Sequence, residues 1–267
     1  MIKFENTEVF GWEAAIRGMR NPMNSWEKSD SFIPCYIKTQ CHKCEVNQKC
    51  SYYFESGKPY KKDEVIGPND LDLMTRLHNA GTDHRKFMRM ITVYVDITAP
   101  LYWWKEFDTY KVGTVANSCS TMHKIHEKEF TLEDFSCEHL VSGWVGKDKN
   151  GVVINIPGPY KKLQSTIELL NSIREIYLYV KNTPKEKIDW SCTPSLSEKD
   201  IWWQMIQLLP SSYNQKRTVM LNYEVLANIY KSRKNHKLDE WSVGFMEWIE
   251  SLPYSELITG EENKINE

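Results

Sequence analysis

The sequence predicts an α+β protein, helix-rich with a small sheet, in a single domain. Three observations carry that reading. Apolar residues recur at helical spacing along most of the chain, whereas the segment Met90 to Thr98 alternates as a half-buried strand does. No internal repeat, low-complexity stretch or linker divides it. The 267 residues, 41% of them hydrophobic and 12% aromatic, suffice for one sizeable core.

Taken in order, residues 8–20 (EVFGWEAAIRGMR) carry apolar residues at helical spacing after Thr7, an N-cap type, and Asn21-Pro22 stops them. Residues 69–80 read as a second helix, opened by Pro68 and closed by Gly81. In the strand that follows, Ile91, Val93, Val95 and Ile97 alternate with their neighbours. Pro100 then begins a short aromatic helix, Leu101 to Phe107, and residues 108–123 (DTYKVGTVANSCSTMH) are polar and small enough for loop or extended chain. Val152 to Ile156 is a short strand, and residues 160–181 form a long amphipathic helix on Leu163, Ile167, Leu170, Ile173, Tyr177 and Val180. Ser197 caps a helix running to Leu209, with Glu198 and Asp200 favourable in its first turn and Pro210 at its end. Residues 213–233 and 239–250 read as two further helices, and the acidic tail after Ser255 as frayed. The expected division is therefore an N-terminal helix plus Cys-rich insertion over 1–64, a core over 65–255 and a tail over 256–267.

Composition excludes several classes. The 34 basic and 36 acidic side chains nearly cancel, which fits neither a disordered chain nor a general nucleic-acid binder. The longest apolar runs fall short of the ~20 residues of a bilayer span, and MIKFENTEVF lacks the apolar stretch of a signal peptide. The expectation is a cytoplasmic protein without membrane contact, its seven cysteines reduced. Cys35, Cys41, Cys44 and Cys50 crowd one segment, and Cys41-x2-Cys44 has the spacing of half a structural zinc site. Free thiols in a loop and a structural zinc stand as equal readings, and a zinc-bound loop could also hold a partner chain.

The polar run is where chemistry concentrates. Trp103 and Trp104 precede it; Asp108, Tyr110, Lys111, Thr114, Asn117, Ser118, Ser120 and His123 follow with few apolar residues among them. Planar rings beside small hydroxyl and amide groups suit a base or ribose, and Lys111 can take one phosphate as a point charge. Each Trp alone is better read as core or interface, because aromatics at helical spacing usually pack; the loop as a block carries the functional reading. Cys119 with His123 offers a weaker nucleophile reading, and His123-x2-His126 half a metal site without supporting carboxylates. Lys231, Arg233, Lys234, His236 and Lys237 gather at a helix C-terminus, where they suit the macrodipole or a phosphate centred on Arg233. Arg17, Arg20 and Asn21 near the N-terminus read as another helix end or a ligand contact.

The order of elements over residues 65–250 resembles flavin-dependent thymidylate synthase, the ThyX family. That family carries an R-H-R-x-x-S-x-N-x-x-S-x-R signature that helps hold flavin and uridylate. With Asn117 on its Asn, Ser120 falls on the second Ser, while Tyr110, Lys111 and Val112 replace R-H-R, Val115 the first Ser and Met122 the last Arg. After Leu209-Pro210, the family's N-L-R-x-L-x-H-F-x-x-L-R helix matches at Asn222, Leu226 and Arg233, but Glu224 stands for an Arg and Asn228 for a His. The A-Q-x-E-I-R motif that supplies an Arg to the uracil has no equivalent in residues 238–246. Trp12 to Ser25 has no counterpart in the pattern.

Arg holds phosphates through bidentate hydrogen bonds worth about 1.5–3 kcal/mol each, so losing several weakens such a site by orders of magnitude. The resemblance therefore implies, first, a nucleotide-binding protein without flavin chemistry, in a homotetramer with sites between subunits. Such a protein suits a regulator or a phage protein that captures a bacterial immune nucleotide. The second implication is an enzyme that still methylates a deoxyuridylate with FAD and folate, with Ser120 as its catalytic residue.

Overall fold

The computed structural model describes residues 2–31, 54–55, 58–59, 66–188 and 196–260. Its centre is an antiparallel sheet of four strands, β1 (Lys3–Phe10), β2 (Thr92–Pro100), β3 (Val115–Ser118) and one late strand, Asn214–Asn222, in which β1 and β3 form the edges. The late strand lies between β2 and β3; β2 pairs with it from Thr92↔Asn222 to Pro100↔Asn214 and on its other side with β1.

Two sequence expectations change here. Residues 214–222 are strand, not the first half of a helix that spans 213–233; only Tyr223–Arg233 is helical. The segment NQKRTVMLN is dominated by good helix formers, but pairing on both sides and the alternation of buried Val219 and Leu221 with partly exposed neighbours override that preference. Likewise residues 8–10 complete β1, and the first helix, α1, begins only at Trp12 (Trp12–Arg20). Gly11 makes the break: its φ is +97°, and a Cβ there would lie 2.0 Å from the Met90 carbonyl oxygen. Thr7 caps nothing; its Oγ1 accepts a hydrogen bond from the Trp248 indole.

The helices α2 (Pro68–Asn79), α3 (Leu101–Phe107), α5 (Pro159–Asn182) and α6 (Glu198–Leu208) and the strand β5 (Val153–Ile156) stand close to expectation, whereas α4 (Thr121–Lys124) and β4 (Trp144–Lys147), the hairpin partner of β5, form where the sequence reading placed no helix or strand. A capping box between Ser197 and Asp200 starts α6 as its sequence indicates. The late strand is β6 (Asn214–Asn222) and leads directly into α7 (Tyr223–Arg233), capped by the Asn222 side chain. Residues 239–250 are helical in two styles, a π-helical stretch Glu240–Phe245 and α8 (Met246–Glu250). The tail is ordered at its start: α9 (Glu256–Thr259) buries Leu257 and Ile258.

One face of the sheet is dry. Val93, Val95, Ile97, Val219 and Leu221 are fully buried in one cluster with Trp103, Trp104, Phe107, Trp241 and Phe245. A second cluster joins α5, α6 and residues 125–135 through Leu170, Ile201, Met205 and Phe130. The opposite face of the sheet, with Tyr94 and Thr218, is open.

Candidate functional site

The open end of β6 and the chain after β3 enclose a polar cavity of about 430 Å³. β6 supplies Asn214, Gln215 and Lys216, preceded by Tyr213; α4 and the residues around it supply Cys119, Ser120, Thr121, Lys124 and Lys128. Local chemistry fixes both walls. Ser120 caps α4 by accepting the His123 amide, and Cys119 donates its amide to the Lys216 carbonyl. The Gln215 amide group donates to the Cys119 carbonyl and to Thr121 Oγ1, at 3.1 and 2.9 Å, locking loop to strand.

Charge in this cavity is balanced. Its lining includes Lys124, Lys128 and Lys216 against Glu127, Glu133 and Asp134. Lys124 bonds Glu127 at 2.5 Å, Lys128 bonds Asp134, and Lys216 reaches Glu5 at 3.0 Å and Asp96 at 3.4 Å. The bonds from Asp134 and Glu5 hold the Lys128 and Lys216 ammonium groups above the usual lysine range, and that from Lys124 lowers the Glu127 carboxyl. Burial raises the Tyr213 hydroxyl, so it remains a neutral donor at the cavity wall.

The sequence-derived site residues separate into several places. Ser120 lines this cavity. Asn117 and Ser118 are exposed on edge strand β3, opposite Thr218 and Arg217, and His123 is exposed on α4. Lys111 is exposed, and Thr114 is partly buried with its hydroxyl unpartnered. Trp103 and Trp104 correct the stacking expectation: at 0% and 1% exposure their faces are filled by Phe107, Trp241 and each other, so they are core. Asn222 spends its side-chain oxygen on the α7 cap. Of the cavity residues that sequence reasoning missed, Asn214, Gln215 and Lys216 sit on the strand read as a helix. No alternation in the sequence marks that strand, because residues 214–218 are all polar and Val219, Met220 and Leu221 are consecutive apolar residues.

Three guanidinium groups near these residues are engaged within the fold. Arg233 bonds Glu106 at 2.6 Å and the Tyr110 hydroxyl at 2.8 Å, over the Trp241 ring, with His236 at 3.3 Å from the same carboxylate. Asp108 is taken by Arg217, which also bonds Gln215 and lies 4.1 Å above the Trp104 ring. Glu224, in the position where an Arg was expected, pairs at 2.9 Å with Arg85, which also reaches Asn228. The Glu224 carboxylate is thus buried against a cation from another element. These partners do not fit a flavin dinucleotide's pyrophosphate, which would need several cations released from carboxylates at once.

Cys35, Cys41, Cys44 and Cys50 lie outside the described residues. Among the described residues no group of three or more His, Cys, Asp or Glu is placed to hold a metal ion, and no helix is long and apolar enough to cross a membrane.

No protein-family model matches the sequence, and no curated relative does. Solved structures do match. A flavin-dependent thymidylate synthase ThyX from Helicobacter pylori, complexed with FAD and dUMP, superposes with a TM-score of 0.57 at 14% identity, covering 97% of this chain and 98% of its own. A second structure of Helicobacter pylori ThyX with FAD and dUMP gives 0.56 at 14% identity and the same coverage. A UMP/dUMP methylase PolB from Streptomyces cacaoi, bound with 5-Br dUMP, gives 0.49 at 13% identity, covering 97% and 95%. The architecture expected from the scattered motifs is thus present along nearly the whole chain, which has the fold of ThyX carried by a widely different sequence.

Proposed function

We propose that the protein binds a nucleotide-like small molecule in the polar cavity beside β6, without flavin chemistry. The observation that carries this reading is the lining itself, with hydroxyls and amides at the walls and lysines balanced by carboxylates. Such a surface recognises a heterocycle and sugar by hydrogen bonds and accepts a phosphate on exchangeable lysines rather than in a fixed guanidinium clamp. The dUMP bound in the ThyX neighbours sets uridylates first in the ligand panel.

In its finer form the reading is sequestration, as in a phage protein that captures a bacterial immune nucleotide; ligand recovered chemically unchanged after tight binding is its mark. A homotetramer is part of the proposal. Leu169, Ile176 and Tyr179 expose apolar surface along α5, and Trp144, Val145, Val153 and Ile154 do so on the hairpin, as subunit contacts require.

The rival reading is flavin- and folate-dependent methylation of a uridylate, with Ser120 as its catalytic residue, favoured by the fold. Colour separates the two. A nucleotide panel should raise the melting temperature by several degrees in protein that takes up no flavin band, and Ser120→Ala or Lys216→Ala should reduce the shift. A flavin band reducible by a nicotinamide cofactor would overturn the binding-only reading. A shift that survives both substitutions but is lost in Asn117→Ala would move the site to the exposed β3 edge.

A further inference from the structure

A second cavity, of about 580 Å³, shares no lining residue with the polar one. Its walls are β1, the loop at Glu138 and His139, and the helical stretch 239–248. Phe4 and Trp248 stack there at 4.8 Å with 5° between their planes, and Ile2 and Val243 extend the apolar surface. This volume lies within the range of small-molecule sites, which are mostly apolar with a few placed polar groups.

The charge around this apolar surface is predominantly acidic: four carboxylate side chains line it with one imidazole, His139. Asp239, Glu240 and Glu247 project from a single helical wall, and no lysine or arginine is among the described lining residues. Glu240 accepts the Tyr102 hydroxyl, and Asp239 lies 3.1 Å from His139 Nε2. The wall is π-helical over Glu240–Phe245, a rare geometry that recurs at functional sites. Gly244 makes room in it: a Cβ there would meet the Ile2 side chain at 2.4 Å.

We propose that this cavity binds a small organic cation with an apolar body, such as an arylalkyl ammonium. The apolar part lies against Ile2, Phe4 and Val243 at the cavity wall. The ammonium meets the Asp239, Glu240 and Glu247 carboxylates, where a charge-assisted hydrogen bond contributes most. An anionic nucleotide is excluded here by the same field, so the two cavities divide ligands by charge.

Calorimetric titration with 2-phenylethylammonium, neutral 2-phenylethanol and anionic phenylacetate tests the assignment. The cation should bind at least about tenfold tighter than the alcohol, and phenylacetate should not bind, as one charge-assisted hydrogen bond in an apolar pocket implies. Glu247→Gln combined with Asp239→Asn, both surface changes, should reduce the cation's affinity by about tenfold and leave the alcohol's unchanged. Val243→Trp should fill the cavity and abolish binding while leaving any nucleotide-induced thermal shift intact. Equal binding of cation and alcohol, binding of no probe, or unaltered binding in Val243→Trp protein that melts as the parent does would each overturn the proposal. If Val243→Trp fails to fold, the double carboxylate variant alone decides.

Discussion

Two sets of ion pairs in this molecule do different work. The first set uses arginine and is buried: Arg20 bonds Asp70 at 2.6 Å with both side chains almost wholly covered, and Arg85 pairs with Glu224 at 14% and 8% exposure. The second set uses lysine and rims the polar cavity, where Lys124 and Lys128 are about two-thirds exposed. Buried pairs are costly to break because a lone charge remains in the interior; exposed pairs exchange partners with little loss. Arg20 and Arg85 are thus held as structure, whereas the cavity lysines keep exchangeable partners.

Asp70 is the extreme case. Its carboxylate accepts Arg20, the Ser29 and Ser31 hydroxyls, and the Asp30 and Ser31 amides, tying residues 29–31 to α2. Asp70→Ala should lower unfolding free energy by about 3–5 kcal/mol, read by urea titration, because Arg20 stays buried without its counter-ion. An effect below about 1 kcal/mol would place Arg20–Asp70 with the exchangeable pairs. Glu224→Gln, which keeps shape but removes charge beside Arg85, should cost less, about 1.5–3 kcal/mol by the same measurement.

Acid should expose the buried set in two steps. Burial first, then the Arg85 charge, holds the His78 imidazole below its ordinary 6.5. Burial alone would raise Asp70, but hydrogen bonds from Ser29, Ser31 and Arg20 outweigh it and keep the carboxyl below 3.8. Both groups bind fewer protons folded than unfolded, so stability is full above those ordinary values and falls as pH drops through each folded value. Melting temperature against pH should decline below about 6.5 and again below about 3.8, and Asp70→Ala should flatten the second limb. The smallest stability effect belongs to Lys216→Ala: its urea midpoint should match the parent's, while nucleotide affinity drops by about tenfold as one charge-assisted hydrogen bond is lost.

How much of this was legible in the sequence varies by element. The α6 capping box, the Pro68 and Pro100 helix starts and the β2 alternation are local signals, and each element formed where its signal stood. The failure at β6 has a physical reason: Lys216, Arg217, Met220 and Leu221 favour helix locally, and only pairing with β2 and β3 makes them strand. That one error hid Asn214, Gln215 and Lys216 from the site. Trp103 and Trp104 mislead in the opposite way, because ring chemistry suits a core as well as a base.

The sequence by itself determined the class of fold, the scattered ThyX motifs and the shortage of arginine where a phosphate clamp was expected. Only the tertiary structure decided where the remaining arginines went. Arg85 and Glu224 are far apart in sequence, as are Arg233 and Glu106, and a charge pair formed across the fold leaves no local pattern. Patterns record what neighbours along a helix or strand require; a site is assembled by contacts between elements, which the chain's order does not reveal.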